Sequence, residues 1–364
     1  MNNWLNKIAI TKIPKVGPVT ARQLISYCGS LDAVFNENKK ALAKIPGVGE
    51  KLAADILSRT YFKKAEKELR FIEKQEIQPL FFLDSNYPYR LKSLYDAPLL
   101  LYYKGSTDLN KPRSVAVIGT RKPTPMGAAI CEELVEGLKA YNVVIISGLA
   151  YGIDVIAHKK CLDLEIETIG VLGHGLGQVY PAAHKSVARR MLVKGGLLTE
   201  FSSDRGPDPG HFPMRNRIVA GMCDALIVVE TARKGGSMIT ARFANEYSKD
   251  VFAVPGRIKD SHLKGCNHLI KSHQAALIES AADVGYIMRW EEAELFDKKE
   301  LLYASLNNRE MQLVKLLEQS ENITIDELTI GLNYSSSEVA SILLNLEFKG
   351  LVKSLPGKRF LLIH

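Results

Sequence analysis

Between His211 and Gly256 the chain reads HFPMRNRIVAGMCDALIVVETARKGGSMITARFANEYSKDVFAVPG. The run Ala225 to Val229 is short and continuously apolar, which predicts a buried strand. The turn Lys234-Gly235-Gly236-Ser237 follows this strand and opens a predicted helix, whose first amide groups lack partners within the helix. Such amides, together with the helix dipole, attract phosphate. The stretch therefore predicts an anion site, and the phosphate could belong to a nucleotide cofactor or to a nucleic-acid backbone.

Short apolar runs alternate with amphipathic segments through the middle of the chain. Strands that are apolar throughout imply a parallel sheet covered by helices on both faces, with ligands at the carboxyl ends of the strands. We therefore predict an α/β fold for residues 79–290, an extended Rossmann-like, doubly wound parallel sheet whose functional loops follow the strands. The predicted strands are Ser114–Gly119, Val143–Gly148, Thr168–Gly173, Gly196–Phe201, Ala225–Glu230 and Val251–Pro255.

Residues 1–75 contain two similar segments, Ile13-Pro-Lys-Val-Gly-Pro and Ile45-Pro-Gly-Val-Gly-Glu. Each is typical of a helix-hairpin-helix, in which a tight glycine turn leads into a helix whose free amides can hold a phosphate without reading sequence. The first copy has Lys15 at the place of the second copy's Gly47. We predict a helical, SAM-like helix-hairpin-helix domain, which either binds DNA or serves only as a packing domain.

Residues 301–364 are predicted to form a winged helix, in which helices are followed by a short hairpin with a Pro-Gly turn. The second and third helices are expected at Thr324–Gly331 and Ser335–Lys349, the latter started by a capping box from Ser335 to Glu338. One apolar face of the third helix is expected to form core, through Val339, Ile342, Leu343 and Leu346.

Charge is distributed unevenly along the 364 residues, which carry a net charge of +8. Residues 1–75 hold 14 Lys and Arg against 7 Asp and Glu, whereas residues 303–364 hold 6 against 7. The basic excess at the N-terminus suits a polyanion, although a solvated lysine-rich helix is an equal alternative. The acidic balance of the winged helix favours a regulatory or protein-contact role over duplex binding.

Other features of the composition exclude several classes of protein. The chain lacks the apolar run of a signal peptide and any segment near the roughly 18 apolar residues of a membrane span, so a cytoplasmic protein is expected. Its 5 cysteines are far apart, which favours free thiols over disulfides or zinc. The histidines show no ligand spacing, so no metal site is expected.

Several separated motifs, in order over about 200 residues, together resemble the DNA-processing protein A (DprA/Smf) family of bacterial recombination mediators. The flanking modules also resemble that family's N-terminal helical domain and C-terminal winged helix. The motifs are Leu83-Asp-Ser-Asn-Tyr-Pro-Tyr-Arg-Leu, Val115-Ala-Val-Ile-Gly-Thr-Arg, Ser147-Gly-Leu-Ala-Tyr-Gly-Ile-Asp-Val-Ile-Ala-His, Gly170-Val-Leu-Gly-His-Gly-Leu, Phe212-Pro-Met-Arg-Asn-Arg-Ile-Val-Ala-Gly, Lys234-Gly-Gly-Ser-Met-Ile-Thr-Ala and Val254-Pro-Gly.

The resemblance implies a homodimeric protein that binds single-stranded DNA without sequence specificity and helps to load the recombinase RecA during natural transformation or homologous recombination. In the family's Gly-Ser-Arg element, Thr120 here replaces serine and keeps the hydroxyl group. The DNA-binding positions implied are Gly119, Thr120, Arg121, Lys122, Ser147, Gly148, Phe212, Arg215, Asn216, Arg217, Lys234, Gly235, Gly236 and Ser237.

Physical alternatives remain for the main candidates. Arg121 can fork two hydrogen bonds to one phosphate, and Phe212 offers a face for a base to stack on. Phe212 could instead be a core aromatic, and Arg215 could form a buried ion pair with Glu200 or Glu230.

A nucleotide-processing enzyme, of the nucleoside monophosphate phosphoribohydrolase type, is the second hypothesis. Related Rossmann-like enzymes carry a Gly-Gly-x-Gly-Thr loop, but the sequence from Gly235 to Thr240 lacks the glycine before threonine. No dinucleotide fingerprint is present. Asp154 and His158 share a helical face, where a hydrogen-bonded pair that stabilises the helix start is simpler than catalysis. We therefore expect no catalytic residue and no cofactor.

Overall fold

A computed structural model describes residues 2–291, 306–318, 323–332, 334–349, 351–355 and 359–362. The chain divides into two units, Met1–Trp290 and Glu291–His364. The predicted boundary between residues 75 and 79 lies inside the first unit, and the predicted linker after Glu291 lies outside the described residues.

A nine-stranded sheet forms the centre of the first unit, with the order β1-β2-β6-β5-β4-β3-β7-β8-β9. The strands from β6 to β9 in that order are parallel, whereas β1 and β2 pair antiparallel with each other and β2 pairs antiparallel with β6. The strands are β1 Gln78–Phe81, β2 Leu100–Gly105, β3 Ser114–Ile118, β4 Val144–Ser147, β5 Thr168–Val171, β6 Gly195–Thr199, β7 Ala225–Val228, β8 Asp250–Ala253 and β9 Ala276–Leu277.

Helices lie before and between these strands. Those of the first unit are α1 Asn2–Thr11, α2 Pro18–Cys28, α3 Leu31–Asn36, α4 Lys39–Lys44, α5 Glu50–Ser58, α6 Phe62–Lys74, α7 Tyr89–Lys92, α8 Pro125–Leu138, α9 Ile153–Asp163, α10 Lys185–Met191, α11 His211–Met222, α12 Gly236–Glu246, α13 Lys264–Lys271 and α14 Ala281–Met288, with short 3-10 turns at Lys139–Tyr141 and Ala182–His184.

The doubly wound arrangement is confirmed. From β3 the chain adds β4, β5 and β6 on one side and then returns to add β7, β8 and β9 on the other. Strand order therefore reverses beside β3, where a doubly wound sheet opens a crevice for ligands. All six predicted strands are present, because each contains at least three consecutive residues that are buried. The purely parallel sheet that we predicted is instead mixed, since β1 and β2 extend one edge antiparallel.

The two predicted hairpins near the N-terminus precede α2 and α5. Gly17 and Gly49 are the N-cap residues of these helices. At the matching turn positions Gly47 has φ +79° and Lys15 has φ +65°, so both copies need a left-handed residue. A lysine there is more strained than a glycine, and the hairpin geometry is nevertheless kept.

The N-terminal helices share a hydrophobic core with the edge of the sheet. Their buried residues, such as Ile56 and Ile72, belong to one apolar cluster with Phe81 of β1 and Tyr102 of β2. The antiparallel strands therefore attach the helical region to the parallel sheet.

The second unit has the helix order and the hairpin predicted for a winged helix. The Pro356-Gly357 turn lies outside the described residues. The predicted capping box joins Ser335 and Glu338, and the predicted core face of the third helix is buried. Its elements are α15 Asn308–Glu318, β10 Ile323–Thr324, α16 Ile325–Leu332, α17 Ser336–Phe348, β11 Val352–Leu355 and β12 Arg359–Leu362, with the sheet order β10-β12-β11.

No helix in the described ranges has both the length and the apolar character needed to cross a membrane.

A partly buried ion pair joins α7 to the start of the central strands, and it generates a stability prediction. Arg90 donates from Nε and Nη2 to the two carboxylate oxygens of Asp224, both at 2.7 Å, and Asp224 also accepts the Ser114 amide at 2.9 Å. We expect Arg90→Met to lower the free energy of unfolding by about 2 to 3 kcal/mol, because Asp224, whose side chain is 26% exposed, loses the two donors of Arg90. Urea unfolding would measure this, with Arg189→Met as an exposed control. A loss below about 1 kcal/mol would show that the pair behaves as a surface ion pair.

Candidate functional site

Two small adjoining cavities, of about 30 and 70 Å³, open at the carboxyl ends of β3, β4 and β5. Five residues line both of them: Arg121, Gly148, Ala150, Phe212 and Arg215. We call the two cavities together the cleft. It lies beside the point where strand order reverses, which is where ligands bind in sheets of this kind.

Arg121 lies on the loop that follows β3, and the backbone around it is fixed on two sides. The Thr120 amide donates to the Glu230 carbonyl at 2.7 Å, and the Thr120 carbonyl accepts the Ile153 amide at 3.1 Å. Gly152, at φ +79°, packs so closely that an added Cβ would lie 2.2 Å from the Thr120 carbonyl oxygen. The Arg121 side chain itself is exposed, with its guanidinium 5.5 Å from the centre of the Phe212 ring. This arginine is therefore held by its backbone and left open at its charged end.

Arg215 has a different environment, because it is buried. Its Nη1 donates to the carbonyl of Gly148 at 2.5 Å and to the carbonyl of Val171, and its Nε donates to Asn216 Oδ1 at 3.1 Å. A Cβ at Gly148 would lie 2.1 Å from Nη1, so only glycine admits the guanidinium there. Arg215 therefore ties together the ends of β4 and β5.

Arg215 forms no salt bridge with Glu200 or Glu230, so the ion pair that we considered is wrong, and Asp154 is the acidic group whose charge opposes the effect of burial on the pKa of Arg215. Asp154 accepts the amides of Gly148 at 3.1 Å and of Ala150 at 3.4 Å. Burial raises the pKa of Asp154, and Arg215 and those amides oppose that shift. The aspartate is therefore a structural hydrogen-bond acceptor at the base of the cleft.

The hydrogen bond expected between Asp154 and His158 is not formed. His158 Nδ1 pairs with Thr168 Oγ1 at 2.7 Å, and its buried Nε2 has no hydrogen-bond partner among the residues that the structure describes. Burial, with the charges of Arg215 and His184, lowers the pKa of His158 to about 3. This neutral histidine packs between α9 and β5.

Three aromatic side chains line the cleft. Phe212 is half-buried, with its ring 6.1 Å from that of Tyr180, so the core and cleft interpretations each describe part of its environment. Tyr151 and Tyr180 are 49% and 47% exposed and line one cavity with Arg121. We did not predict these tyrosines, although each lies in a loop that follows a predicted strand. The cleft therefore offers aromatic faces beside a free arginine.

The loop after β7 contributes a helix start. Gly236 and Ser237, the first residues of α12, line the larger cavity, and Gly235 is the extended N-cap. The Ser237 hydroxyl donates to Thr231 Oγ1 at 2.6 Å, so it is engaged within the loop. The helix that we predicted at the anion site is therefore present. The start of the α12 backbone, rather than the Ser237 hydroxyl, is available to a ligand in the larger cavity.

The other predicted residues divide into some that line the cleft and some that do not. Ser147 is buried and donates to the Val117 carbonyl at 2.6 Å. Arg217 pairs with Glu200 and donates to the Asp96 carbonyl at 2.5 Å, and it lines neither cavity. Lys122 and Lys234 are exposed beside the cleft without lining it. Gly119 and Asn216 do line the larger cavity, and Thr120 and Gly235 support its loops.

The chemistry of the cleft suits anion binding. Among the described residues that line it, the carboxylate of Asp154 is matched by Arg215, which leaves the charge of Arg121 uncompensated. Glu230 is buried and accepts from the Thr124 amide and hydroxyl, the latter at 2.8 Å. In the described part of the chain, no group of three or more His, Cys, Asp or Glu is placed to hold a metal ion.

Three family models match the chain. Residues 78–288 match DNA recombination-mediator protein A, residues 8–59 match a SAM-like helix-hairpin-helix tandem, and residues 298–358 match the DprA winged helix domain.

Known proteins of several bacteria are similar over most of the chain. Protein Smf of Synechocystis sp. is 29% identical, with 98% of this chain and 97% of that protein covered. Protein Smf of Escherichia coli is 33% identical, with 81% and 80% covered. DNA processing protein DprA of Streptococcus pneumoniae is 43% identical over 58% of this chain and 74% of its own length.

Two solved structures are similar as well. The X-ray structure of DprA from Streptococcus pneumoniae has a TM-score of 0.68 and 35% identity, with 79% of this chain and 98% of that chain covered. A structure of DNA processing protein A from Helicobacter pylori, described for its single-stranded DNA binding mode, has a TM-score of 0.54 and 32% identity, with 59% and 98% covered.

The buried pair at the base of the cleft generates a pH-dependent prediction. Burial already raises the pKa of Asp154, and Arg215 opposes that shift, so Arg215→Met should raise this pKa further. When folding raises the pKa of an acidic group, the folded protein loses stability as the pH rises through that range. The range begins at the pKa in the unfolded state, about 3.9 for aspartate, and ends at the pKa in the folded state. We therefore expect Arg215→Met to cost about 3 kcal/mol at pH 7 and less at pH 5.

Urea unfolding at the two pH values would measure this difference. The matched control is Arg215→Met with Asp154→Asn, which removes the titrating carboxyl group and should lose the same stability at both pH values. An equal loss at pH 7 and pH 5 for the single variant would contradict the role given to Asp154.

Proposed function

Because the chain belongs to the DNA recombination-mediator protein A family, we propose that it binds single-stranded DNA without sequence preference and hands the strand to RecA. The protein would act in the cytoplasm as a homodimer, during homologous recombination or natural transformation. The Helicobacter pylori relative, described for its single-stranded DNA binding mode, supports the choice of ligand.

The observation that carries the proposal is the uncompensated Arg121 above the ring of Phe212. A planar guanidinium can fork two hydrogen bonds to a phosphate, and the neighbouring aromatic ring can receive a base. A single strand presents both groups to one surface, because its bases are not paired. A duplex would present phosphates alone at a cleft of this size.

The start of α12 supplies the second part of the phosphate site. The first amides of a helix point at an anion in front of it, and the helix dipole favours negative charge there. Gly236 and Ser237 line the same cavity as Arg121, so one phosphate can meet both. Exposed Lys122 and Lys234 would extend the positive surface along the strand.

The cleft has few groups that could read a base sequence. The amide oxygen of Asn216 accepts from Arg215, and the Ser237 hydroxyl donates to Thr231. Backbone amides, a guanidinium and aromatic faces bind any nucleotide about equally well. These features support binding without sequence preference.

A binding role also suits the state of the acidic groups better than an enzymatic role does. Asp154 is engaged by two backbone amides and matched by Arg215, and Glu230 is engaged by Thr124. A general base must reach a proton on its substrate, which neither carboxylate is free to do. We therefore propose no catalytic residue and no cofactor, and we do not favour nucleoside monophosphate hydrolysis.

Homodimer formation and RecA loading rest on the family relationship. Two clefts held in one dimer would bind one strand with an affinity raised by tethering, provided that the strand spans both sites. A strand held by backbone contacts and stacking stays exposed at its pairing edges, which suits transfer to a recombinase.

Arg121 provides the direct test of the site. We expect Arg121→Ala to weaken binding to oligothymidylate about tenfold to a hundredfold, because one charge-assisted phosphate contact is lost. The slope of log affinity against log salt should become shallower by about 0.7, the value for one phosphate on a single strand. Fluorescence anisotropy titrations at several salt concentrations would measure both quantities.

The matched control is Arg190→Ala, which removes the same charge from the end of α10, just before β6 begins. That edge of the sheet is opposite the cleft, and Arg190 is paired with Asp163. If both variants keep the affinity and salt slope of the parent protein, Arg121 is not part of the DNA site.

The aromatic residues provide a separate test of stacking. We expect Phe212→Ala, Tyr151→Ala and Tyr180→Ala each to weaken oligothymidylate binding by about 1 to 3 kcal/mol where a base is stacked. With an abasic oligomer of the same length, the parent protein and the variants should bind equally. Tyr286→Ala, at an 86% exposed tyrosine of α14, is the control. Equal losses with both oligomers would assign the aromatic residues a purely structural role.

A further inference from the structure

The third helix of the winged helix unit, α17, has an exposed apolar stripe. Leu344 is 53% exposed and Phe348 is 83% exposed, and Ala340 is exposed one turn before them. These residues are spaced by four, so they lie on one face of the helix, opposite the buried face through Val339 and Leu346. An apolar stripe of this kind on a soluble unit indicates a contact surface.

The charges on and around α17 do not suit nucleic acid. Winged helix and helix-turn-helix proteins commonly place such a helix against DNA, where lysine and arginine meet phosphates. The α17 sequence SSEVASILLNLEF contains no lysine or arginine and two glutamates. At its two ends, Arg309 is paired with Glu338, and Lys349 is paired with Glu310 at 2.8 Å. The helix start is likewise occupied by the capping carboxylate of Glu338.

The order of side chains along the stripe is self-complementary. Consider two copies of α17 that lie antiparallel about a two-fold axis at Leu344. A residue that follows Leu344 by a given number of positions in one copy then faces the residue that precedes Leu344 by the same number in the other copy. Phe348 of one copy then faces Ala340 of the other, a large side chain against a small one. Glu347 of one copy faces Ser341 of the other, and Lys349 of one copy lies about one residue along the helix from Glu338 of the other. No acidic side chain of one copy faces an acidic side chain of the other.

We propose that α17 is a self-association surface, at which the winged helix unit of one chain pairs with that of a second copy. The pairing is isologous, which means that the same surface serves both partners and closes the contact at two chains. Its small area implies weak, concentration-dependent association, as for interfaces below about 1,200 Å². A contact of this size would act mainly between chains that a shared DNA strand or another interface already brings together.

Cysteine cross-linking in the full chain tests the position of the two-fold axis. A disulfide needs Cα atoms within about 7 Å of each other. Leu344→Cys lies on the proposed axis, so two copies should cross-link readily under mild oxidation. Ser337→Cys lies on the same exposed face seven residues away, and in the proposed pairing its two copies are about 20 Å apart along the helices. Both variants are made in a Cys28→Ser background, because Cys28 is half-buried whereas the other four cysteines are buried. Ser337→Cys should therefore remain at the background of the Cys28→Ser protein.

A side-chain swap tests whether the partner of the stripe is a second copy of α17. Self-association is measured by sedimentation velocity of the full chain over a range of concentrations, and by the cross-linking yield in the Leu344→Cys background. Phe348→Ala should weaken self-association about tenfold, because a buried aromatic contact is lost. Ala340→Phe should weaken it as well, because two phenylalanines then face each other. The double variant Ala340→Phe with Phe348→Ala restores a large side chain against a small one and should recover the parent behaviour. Both substitutions are at exposed positions, and circular dichroism would verify that the unit is folded in all three variants.

The swap separates a second copy from any other partner. A different protein bound to this stripe would lose Phe348 in the double variant and would not be rescued. The proposal is overturned if Leu344→Cys cross-links no faster than Ser337→Cys, if Phe348→Ala leaves self-association unchanged, or if the double variant fails to recover it. None of these outcomes depends on whether the cleft of the first unit binds single-stranded DNA.

Discussion

The backbone contacts of two buried ionisable residues, Arg215 and Asp154, are the interactions on which the cleft depends. Arg215 extends from α11 to the carbonyls at the ends of β4 and β5, and Asp154 at the start of α9 takes the amides of Gly148 and Ala150. Either charge alone would be costly to bury, because an isolated ion loses its hydration without compensation. Together they hold three elements in one arrangement at the carboxyl edge of the sheet. The strand-end loops can therefore remain open to a ligand without collapsing into the space between them.

Arg215 and Arg121 have different roles in this arrangement, although the sequence presents both as candidate ligands of phosphate. Arg215 is engaged within the protein, since its Nη1 donates to two backbone carbonyls and its Nε donates to Asn216. Arg121 is free, since its loop is held through backbone contacts of Thr120 and Gly152 and not through its side chain. A rigid backbone with a free guanidinium is preorganised for an anion, because little order remains to be imposed on binding. The topology then places the start of α12 against the same space, which adds helix amides to the charge.

Much of the fold could be predicted, because strands buried on both faces leave a plain apolar pattern and the motifs that follow them are specific. The roles of individual side chains were harder to predict. Arg215 and Arg217 are two residues apart on a helix, so they point to nearly opposite sides, and both cannot enter one cleft. Sequence spacing reveals that divergence but not which arginine turns inward, which is decided by where α11 packs. Tyr151 and Tyr180 become neighbours only once β4 and β5 are adjacent, so nothing local in the sequence joins them.

The packing of the N-terminal helices links the basic excess of residues 1–75 to the cleft. Glu68 of α6 accepts from the Ser203 amide at 2.9 Å and from its hydroxyl, and Leu176 packs into the same core as α6. Leu176 comes two residues after His174, which lines the cleft. The helical region therefore braces the loop that forms one wall of the site.

The net charge of residues 1–75, +7, belongs to the same unit as Arg121, so its long-range field would act on the same approaching strand. Such a field increases the rate of encounter at low salt without adding any contact in the cleft. In the proposed function, the hairpins would contribute to the capture of DNA without touching it themselves.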